Sequence, residues 1–340
     1  MLKKSAVSVF LLSQVIFTLG SVFSARAQTQ KENSAIPQDI DVVRVSTSLV
    51  TVPVTVRSHE GGFIPNLRRE DFRIYEDGVE QQIAHFEAAD QPFTVVLVLD
   101  ISDSTKIELK DIQNAAIAFV KQLQPNDRAQ IVAFDKNVTT LTEATSDRQV
   151  LSDAIRRVRT GGGTSLYDAM QTVMTINQKR IGGRKAVVIF TDGIDTSSIR
   201  ATYDSTLPLA DAQYALIYPV QYNSVRDVLG KQLSAENSGF GSAIYTTPSG
   251  ESVSKAFERG TRYLKTMSQV SGGRFQSAAS LKDLEHSFAR IAEELRQQYS
   301  LGYYPMNRGK KGKRRIKITV DAPGDVVHAR ESYIYKPDNP

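Results

Sequence analysis

Cysteine is missing from all 340 residues. That absence excludes disulfides, thiolate metal sites and thiol nucleophiles together, and it excludes a lipid-modified cysteine at an export cleavage point. Histidine is scarce. The four are His59, His85, His286 and His328, with no H-x-x-x-H spacing, which argues against a zinc hydrolase. No G-x-S-x-G occurs, and no histidine lies near the hydroxyl-rich loops, so a Ser-His-Asp triad lacks its base. The glycine run at residues 161–163 is followed by neither G-x-G-x-x-G nor a Lys-Ser pair, which disfavours a nucleotide cradle. Beyond the N-terminus no apolar run is long enough to span a bilayer.

What is present is the composition of a globular chain, 41% hydrophobic and 23% charged. Lys3 and Lys4 precede an apolar stretch over residues 6–22, and small residues stand at Ala25 and Ala27. This reads as a secretory signal peptide, residues 1–27, with an N-terminal membrane anchor as the alternative. The protein is therefore expected to be exported, periplasmic or extracellular. The formal charge of +5, less the three cations Lys3, Lys4 and Arg26, leaves +2 for the mature chain. A near-neutral exported protein is a poor nucleic-acid binder.

Residues 28–40 are polar and read as a flexible leader. From 41 to 90 the texture is β, with alternating apolar and polar residues and a tight-turn signal at Asp77-Gly78. After Pro92 the pattern changes to continuous apolar runs separated by helical stripes, as in FTVVLVLD, AQIVAFD and RKAVVIFTDG. Such runs are strands covered on both faces. The spacing predicts an α/β fold: a doubly wound, mostly parallel sheet with helices on both faces. Helices are expected over about 147–158, from about Tyr203, and from an N-cap at Ser280. The β texture returns over 299–336, with MNRGKKGK as a hairpin tip. Neither β flank offers enough strands for a good core alone. The two are expected to join into one small β-domain, with the α/β domain inserted between them. Residues 223–258 read as an unusually long polar loop, a surface loop or a lid that contacts a partner.

Three loops fall at the same edge of that sheet: DISDS after the first buried strand, GGGTS opening a helix, and TDG ending another strand. They offer Asp100, Ser102, Ser104, Thr164 and Asp192, all hard oxygen donors. Such donors suit Mg²⁺, Mn²⁺ or Ca²⁺ rather than zinc. Alternate residues of an extended segment point the same way, so Ser102 and Ser104 can face one ion. Taken singly, Asp100, Ser104 and Thr164 are also ordinary helix caps; their gathering at one edge is what favours metal.

With these motifs in place, residues 92–298 resemble a von Willebrand factor type A domain, whose metal-ion-dependent adhesion site (MIDAS) reads D-x-S-x-S, then Thr, then Asp before Gly. The resemblance implies that Ser102, Ser104 and Thr164 ligate directly or nearly so, and that Asp100 and Asp192 act through water. The flanks, including VPVTVRSHEGGFIPNLRREDFRIYEDGVEQQIAHFE and QQYSLGYYP, are similar to exported bacterial proteins grouped as VWFA-related and first catalogued in acidobacteria. Asp103 and Thr105 depart from the usual pattern.

The resemblance implies a non-catalytic, metal-dependent adhesion module that coordinates an Asp or Glu of a protein partner, with the last helix, 280–298, shifting on ligand binding. Two alternatives stand beside it. One is an envelope assembly component in which the metal only staples the fold. The other is a metal-assisted hydrolase, for which Asp103 is the sole visible base. The run Arg308, Lys310, Lys311, Lys313, Arg314 and Arg315 reads as a solvated hairpin tip or a contact with an anionic envelope surface.

Overall fold

The computed structural model describes residues 49–102, 109–177, 183–212, 215–222, 246–278, 281–307, 311–321 and 326–335. The signal and leader positions, Asp103, Ser104, Thr105, Ser280, Arg308, Lys310 and residues 223–245 lie outside the described residues.

The central sheet has the order β10-β9-β8-β5-β6-β7. Its members are β5 (Phe93–Asp100), β6 (Arg128–Phe134), β7 (Val138–Thr140), β8 (Arg184–Thr191), β9 (Leu216–Tyr222) and β10 (Gln276–Ala278). All neighbours run parallel except the short edge strand β7. The apolar run of β5 is explained by its place: it is buried along its whole length, and its alternate residues feed two cores. Val95, Leu97 and Leu99 join a cluster with α1 (Leu109–Gln122), α2 (Arg148–Arg157) and α6 (Leu281–Arg296). Val96 and Val98 join the opposite cluster, with α3 (Leu166–Thr172) and α5 (Val253–Ser271). Ala210 of α4 (Tyr203–Ala212) belongs to that second cluster. The fold is thus the expected doubly wound α/β sheet.

The two β-rich flanks interleave. β1 (Val50–Arg57), β4 (Ile83–Glu87), β11 (Gln298–Tyr303) and β13 (Val326–Ala329) form one sheet in the order β13-β1-β11-β4. β2 (Phe72–Glu76), β3 (Val79–Gln81), β12 (Gly312–Val320) and β14 (Ser332–Tyr335) form another, in the order β14-β12-β2-β3. Every pairing in both sheets is antiparallel. Their apolar faces meet in one cluster that includes Val52, Val54, Ile74, Tyr299, Leu301 and Ile318. The Asp77-Gly78 turn joins β2 to β3 with positive φ at both residues, 48° and 85°, the signature of a two-residue hairpin.

Three expectations need correction. The basic run is not a hairpin tip: β11 and β12 belong to different sheets, so the chain crosses between layers there. Arg314 is not a surface residue. Along β12 the side chains alternate, so Lys313 and Arg315 face solvent while Arg314 is 4% exposed. It pairs with Glu76 Oε1 at 2.6 Å and lies 3.7 Å over the Tyr335 ring. Finally, residues 253–258 are helical. Ser252 caps α5 by accepting from the Lys255 N–H, and Ala256, Gly260, Tyr263, Leu264 and Met267 form its buried stripe.

Candidate functional site

In this sheet the strand order reverses between β5 and β8, and their carboxyl ends open the crevice where such sheets bind ligands. Asp100 ends β5, and Asp192 follows β8 directly. Both are essentially buried, at 0% and 1% exposure. Asp100 Oδ1 accepts from the Ser102 N–H at 3.0 Å, and its Oδ2 accepts from the Thr191 hydroxyl at 2.6 Å. Burial, and then the nearby charge of Asp192, push the Asp100 carboxyl up to about 7, against the opposing pull of Thr191 and Ser102.

The GGGTS loop reaches the same edge. Ser102 and Gly161 form an isolated parallel bridge, and the Gly161 N–H donates to the Ile101 carbonyl at 2.9 Å. At Gly161 a Cβ would lie 1.8 Å from Asp135 Oδ2, so any larger residue would have to displace the Asp135 side chain. At Gly163 φ is +77°, and a Cβ would lie 2.3 Å from Ser197 Oγ. Thr164 is 5% exposed, and its N–H donates to Thr196 Oγ1 at 2.9 Å. The structure therefore brings Ser102 and Thr164, on neighbouring loops, to the edge where Asp100 and Asp192 end their strands.

Sequence reasoning missed the supporting groups. Thr191 bridges the two strand ends, since its hydroxyl also accepts from the Gly193 N–H at 3.0 Å. The Asp192 carboxylate accepts from the Ile194 N–H at 2.9 Å. The Asp192 carbonyl accepts from Gln221 Nε2 at 2.7 Å, and Gln221 Oε1 accepts from the Thr261 hydroxyl at 3.0 Å. That chain ties the site to α5. Thr191 was visible beside Asp192, but only the register of β5 against β8 aims it at Asp100.

Among the described residues no group of three or more His, Cys, Asp or Glu gathers as a metal site. Among the described residues Asp100 and Asp192 are the carboxylates at the two strand ends, and the hydroxyls of Ser102 and Thr164 are the neutral side-chain oxygens on the adjoining loops. Hard oxygens of this kind match Mg²⁺, Mn²⁺ or Ca²⁺ in character. The four histidines lie elsewhere, His85 on β4, His328 on β13, His286 on α6 and His59 beyond the end of β1.

Comparison with known proteins follows this geometry. A UPF0353 protein of Mycolicibacterium paratuberculosis is 23% identical over 228 residues, covering 59% of this chain and 60% of the relative. A UPF0353 protein of Mycobacterium leprae is 22% identical over the same extent. The match spans less than two thirds of those relatives. A von Willebrand factor type A protein from Catenulispora acidiphila superposes with a TM-score of 0.47 at 11% identity, covering 86% of this chain and 74% of that one. The type V pili tip protein Mfa5 from Porphyromonas gingivalis gives a TM-score of 0.42 at 14% identity, over 61% and 95%. Proximal thread matrix protein 1 of the mussel byssus, with a zinc-occupied MIDAS motif, gives 0.46 at 13% identity, over 64% and 49%. Residues 95–194, the stretch that runs from the first crevice strand through Asp192, match the family model described as von Willebrand factor type A domain.

Proposed function

We propose that this chain is an exported, non-catalytic binding module that holds a divalent cation, Mg²⁺ or else Mn²⁺ or Ca²⁺, at a MIDAS-type site. The observation that carries the reading is the pair Asp100 and Asp192, two carboxylates buried side by side at the crevice edge. Burying like charges together is costly, and a proton on Asp100 or a cation shared with Asp192 relieves it. Ser102 and Thr164 supply neutral oxygens from the adjoining loops, and Ser104 is proposed to join them. A shell with few anionic ligands leaves much of the ion's charge unquenched, so the bound metal supplies an electrophilic position that an Asp or Glu of a protein partner can fill.

The domain division we propose inserts the type A domain, residues 92–298, into a β-sandwich made from residues 41–90 and 299–336. Shared strand pairing supports it, since β1 pairs with β11 over six residues. The proposed envelope contact keeps Lys311, Lys313 and Arg315 and drops Arg314, which faces inward; Arg308 and Lys310 lie outside the described residues.

The test is a pull-down from envelope extract with mature protein in Mg²⁺ or in EDTA, repeated with Ser102→Ala and Thr164→Ala. We expect partner binding to vanish with EDTA and in both variants while the fold is kept. Binding that ignores EDTA defeats the adhesion reading, and variants that lose stability alone reassign the metal as a fold staple.

A further inference from the structure

Ile199 is 90% exposed, more than any other large apolar side chain among the described residues. The segment that carries it is nevertheless fixed. Its own N–H donates to Asp168 Oδ2 at 3.2 Å, and the N–H groups of Arg200 and Ala201 donate to Asp168 Oδ1 at 3.0 and 2.7 Å. Asp168, 4% exposed in the first turn of α3, directs both of its oxygens to this stretch of backbone. Just upstream, Ser198 Oγ accepts from the Asp168 N–H at 3.1 Å and donates to Asp195 Oδ1. The N–H groups of Thr196 and Ser197 donate to the Thr164 carbonyl at 2.9 and 3.0 Å.

A single exposed isoleucine is ordinary on a surface; a backbone fixed by this many bonds beneath it is what sets Ile199 apart. Ordering a loop costs conformational entropy, and leaving an isoleucine in water forfeits the burial that would repay it. A connector needs neither a fixed backbone nor an apolar tip. The same loop is bonded to the Thr164 carbonyl through Thr196 and Ser197, so the Ile199 backbone is held at a set offset from the crevice. The Ser197 N–H is bonded to the Thr164 carbonyl and Ile199 follows two residues on, which puts the Ile199 backbone on the order of 10 Å from Thr164. Beside it, the Arg200 side chain is 61% exposed, with Nε 3.6 Å from Asp168.

We propose that Ile199 is a rigid apolar knob that enters a pocket on the protein partner whose carboxylate reaches the Thr164 edge; this rests on the metal-dependent reading above. A projecting knob needs a concave receptor. The partner is therefore a folded protein with an apolar pocket on the order of 10 Å from its acidic side chain, and acidic groups on the pocket rim to meet Arg200. A linear acidic peptide offers no such pocket.

The test uses two display libraries, a small folded scaffold with a randomised concave face and linear peptides with one central Asp or Glu. Both are panned against the full chain with Mn²⁺ and eluted with EDTA, and Mn²⁺ affinity alone is measured separately. We expect EDTA-eluted clones from the folded scaffold to lose at least tenfold in affinity for Ile199→Ser and to keep it within threefold for Ile199→Val. Mn²⁺ binding should be the same in both variants. EDTA-eluted clones insensitive to Ile199→Ser would overturn the knob and leave the metal site standing. Failure to recover any EDTA-eluted clone would defeat the metal-dependent reading and the knob with it. Binding to anionic lipid vesicles that is lost in Ile199→Ser would assign the side chain to a membrane surface and overturn the protein pocket.

Discussion

Asp100 holds a carboxylate where water does not reach and where Asp192 repels its charge. Its pKa in the fold is raised from 3.8 to about 7, so the folded protein binds this proton more tightly than the unfolded chain. Stability from this group is therefore greatest at low pH and is lost as pH rises from about 4 to about 7. In EDTA the wild type should lose melting temperature over that window relative to Asp100→Asn. Excess Mn²⁺ at neutral pH should restore the wild type and leave the variant unmoved. Parallel pH profiles for the two proteins would show that Asp100 is not the strained group. Asp100, Ser102, Thr164 and Asp192 were legible because each sits where an apolar run or a glycine run breaks into oxygen donors. Thr191 and Asp168 were not, since a buried threonine or a helix aspartate has many ordinary roles and only its partners distinguish it.

At the scale of elements, the contact of α5 with the β8 end shows how a helix sets the site. Gly260 lies in the helix interior, where alanine would ordinarily add roughly 1 kcal/mol of stability. Here a Cβ would stand 2.2 Å from the Gly193 carbonyl oxygen and 2.5 Å from its carbon, both backbone atoms. Overpacking of this kind costs about 1–3 kcal/mol, and the rigid neighbour places it at the upper end, so the clash outweighs the helical gain. Gly260→Ala is expected to lower stability in urea titrations by about 2 kcal/mol net. It should also weaken Mn²⁺ binding, because Thr261 and Gln221 carry the displaced helix to Asp192. A stabilised Gly260→Ala protein with unchanged Mn²⁺ affinity would contradict this coupling. In the sequence the first turns of this helix are hard to see, because the residues around the Ser252 cap are mostly polar and the buried positions before Tyr263 are the small Ala256 and Gly260.

Across the whole molecule, the central sheet and the β-sandwich have separate apolar clusters. They are joined where the chain passes between them, near Gln91 and Gln298. Arg184, at the start of β8, spans both passages. It donates to the Gln91 carbonyl at 3.3 Å, to the Leu295 carbonyl at 3.0 Å and to the Gln298 carbonyl. Within the sandwich, Glu76 is 5% exposed and is satisfied by Arg314 and by the hydroxyls of Tyr303 and Tyr333, at 2.7 and 2.6 Å. Arg314→Met should cost about 3–5 kcal/mol, since it strands a buried carboxylate. The double variant Arg314→Met with Glu76→Gln should recover a large part of that loss. Guanidinium denaturation measures both, and Mn²⁺ affinity should stay unchanged because the sandwich core is separate from the crevice. A single Arg314→Met variant as stable as the wild type would refute the buried pair.

The sequence by itself determined the alternation of strand and helix, the two-core pattern of FTVVLVLD and the oxygen donors at three strand and loop ends, because hydrophobic period and chain breaks are local properties. Tertiary structure decided what those local signals leave open. It placed β11 and β12 in different sheets, turned Arg314 inward among like-charged neighbours that face out, and aimed Thr191 and Asp168 at partners far along the chain. Each of these depends on register and burial, which are fixed only when distant strands meet and polar groups must find partners away from water.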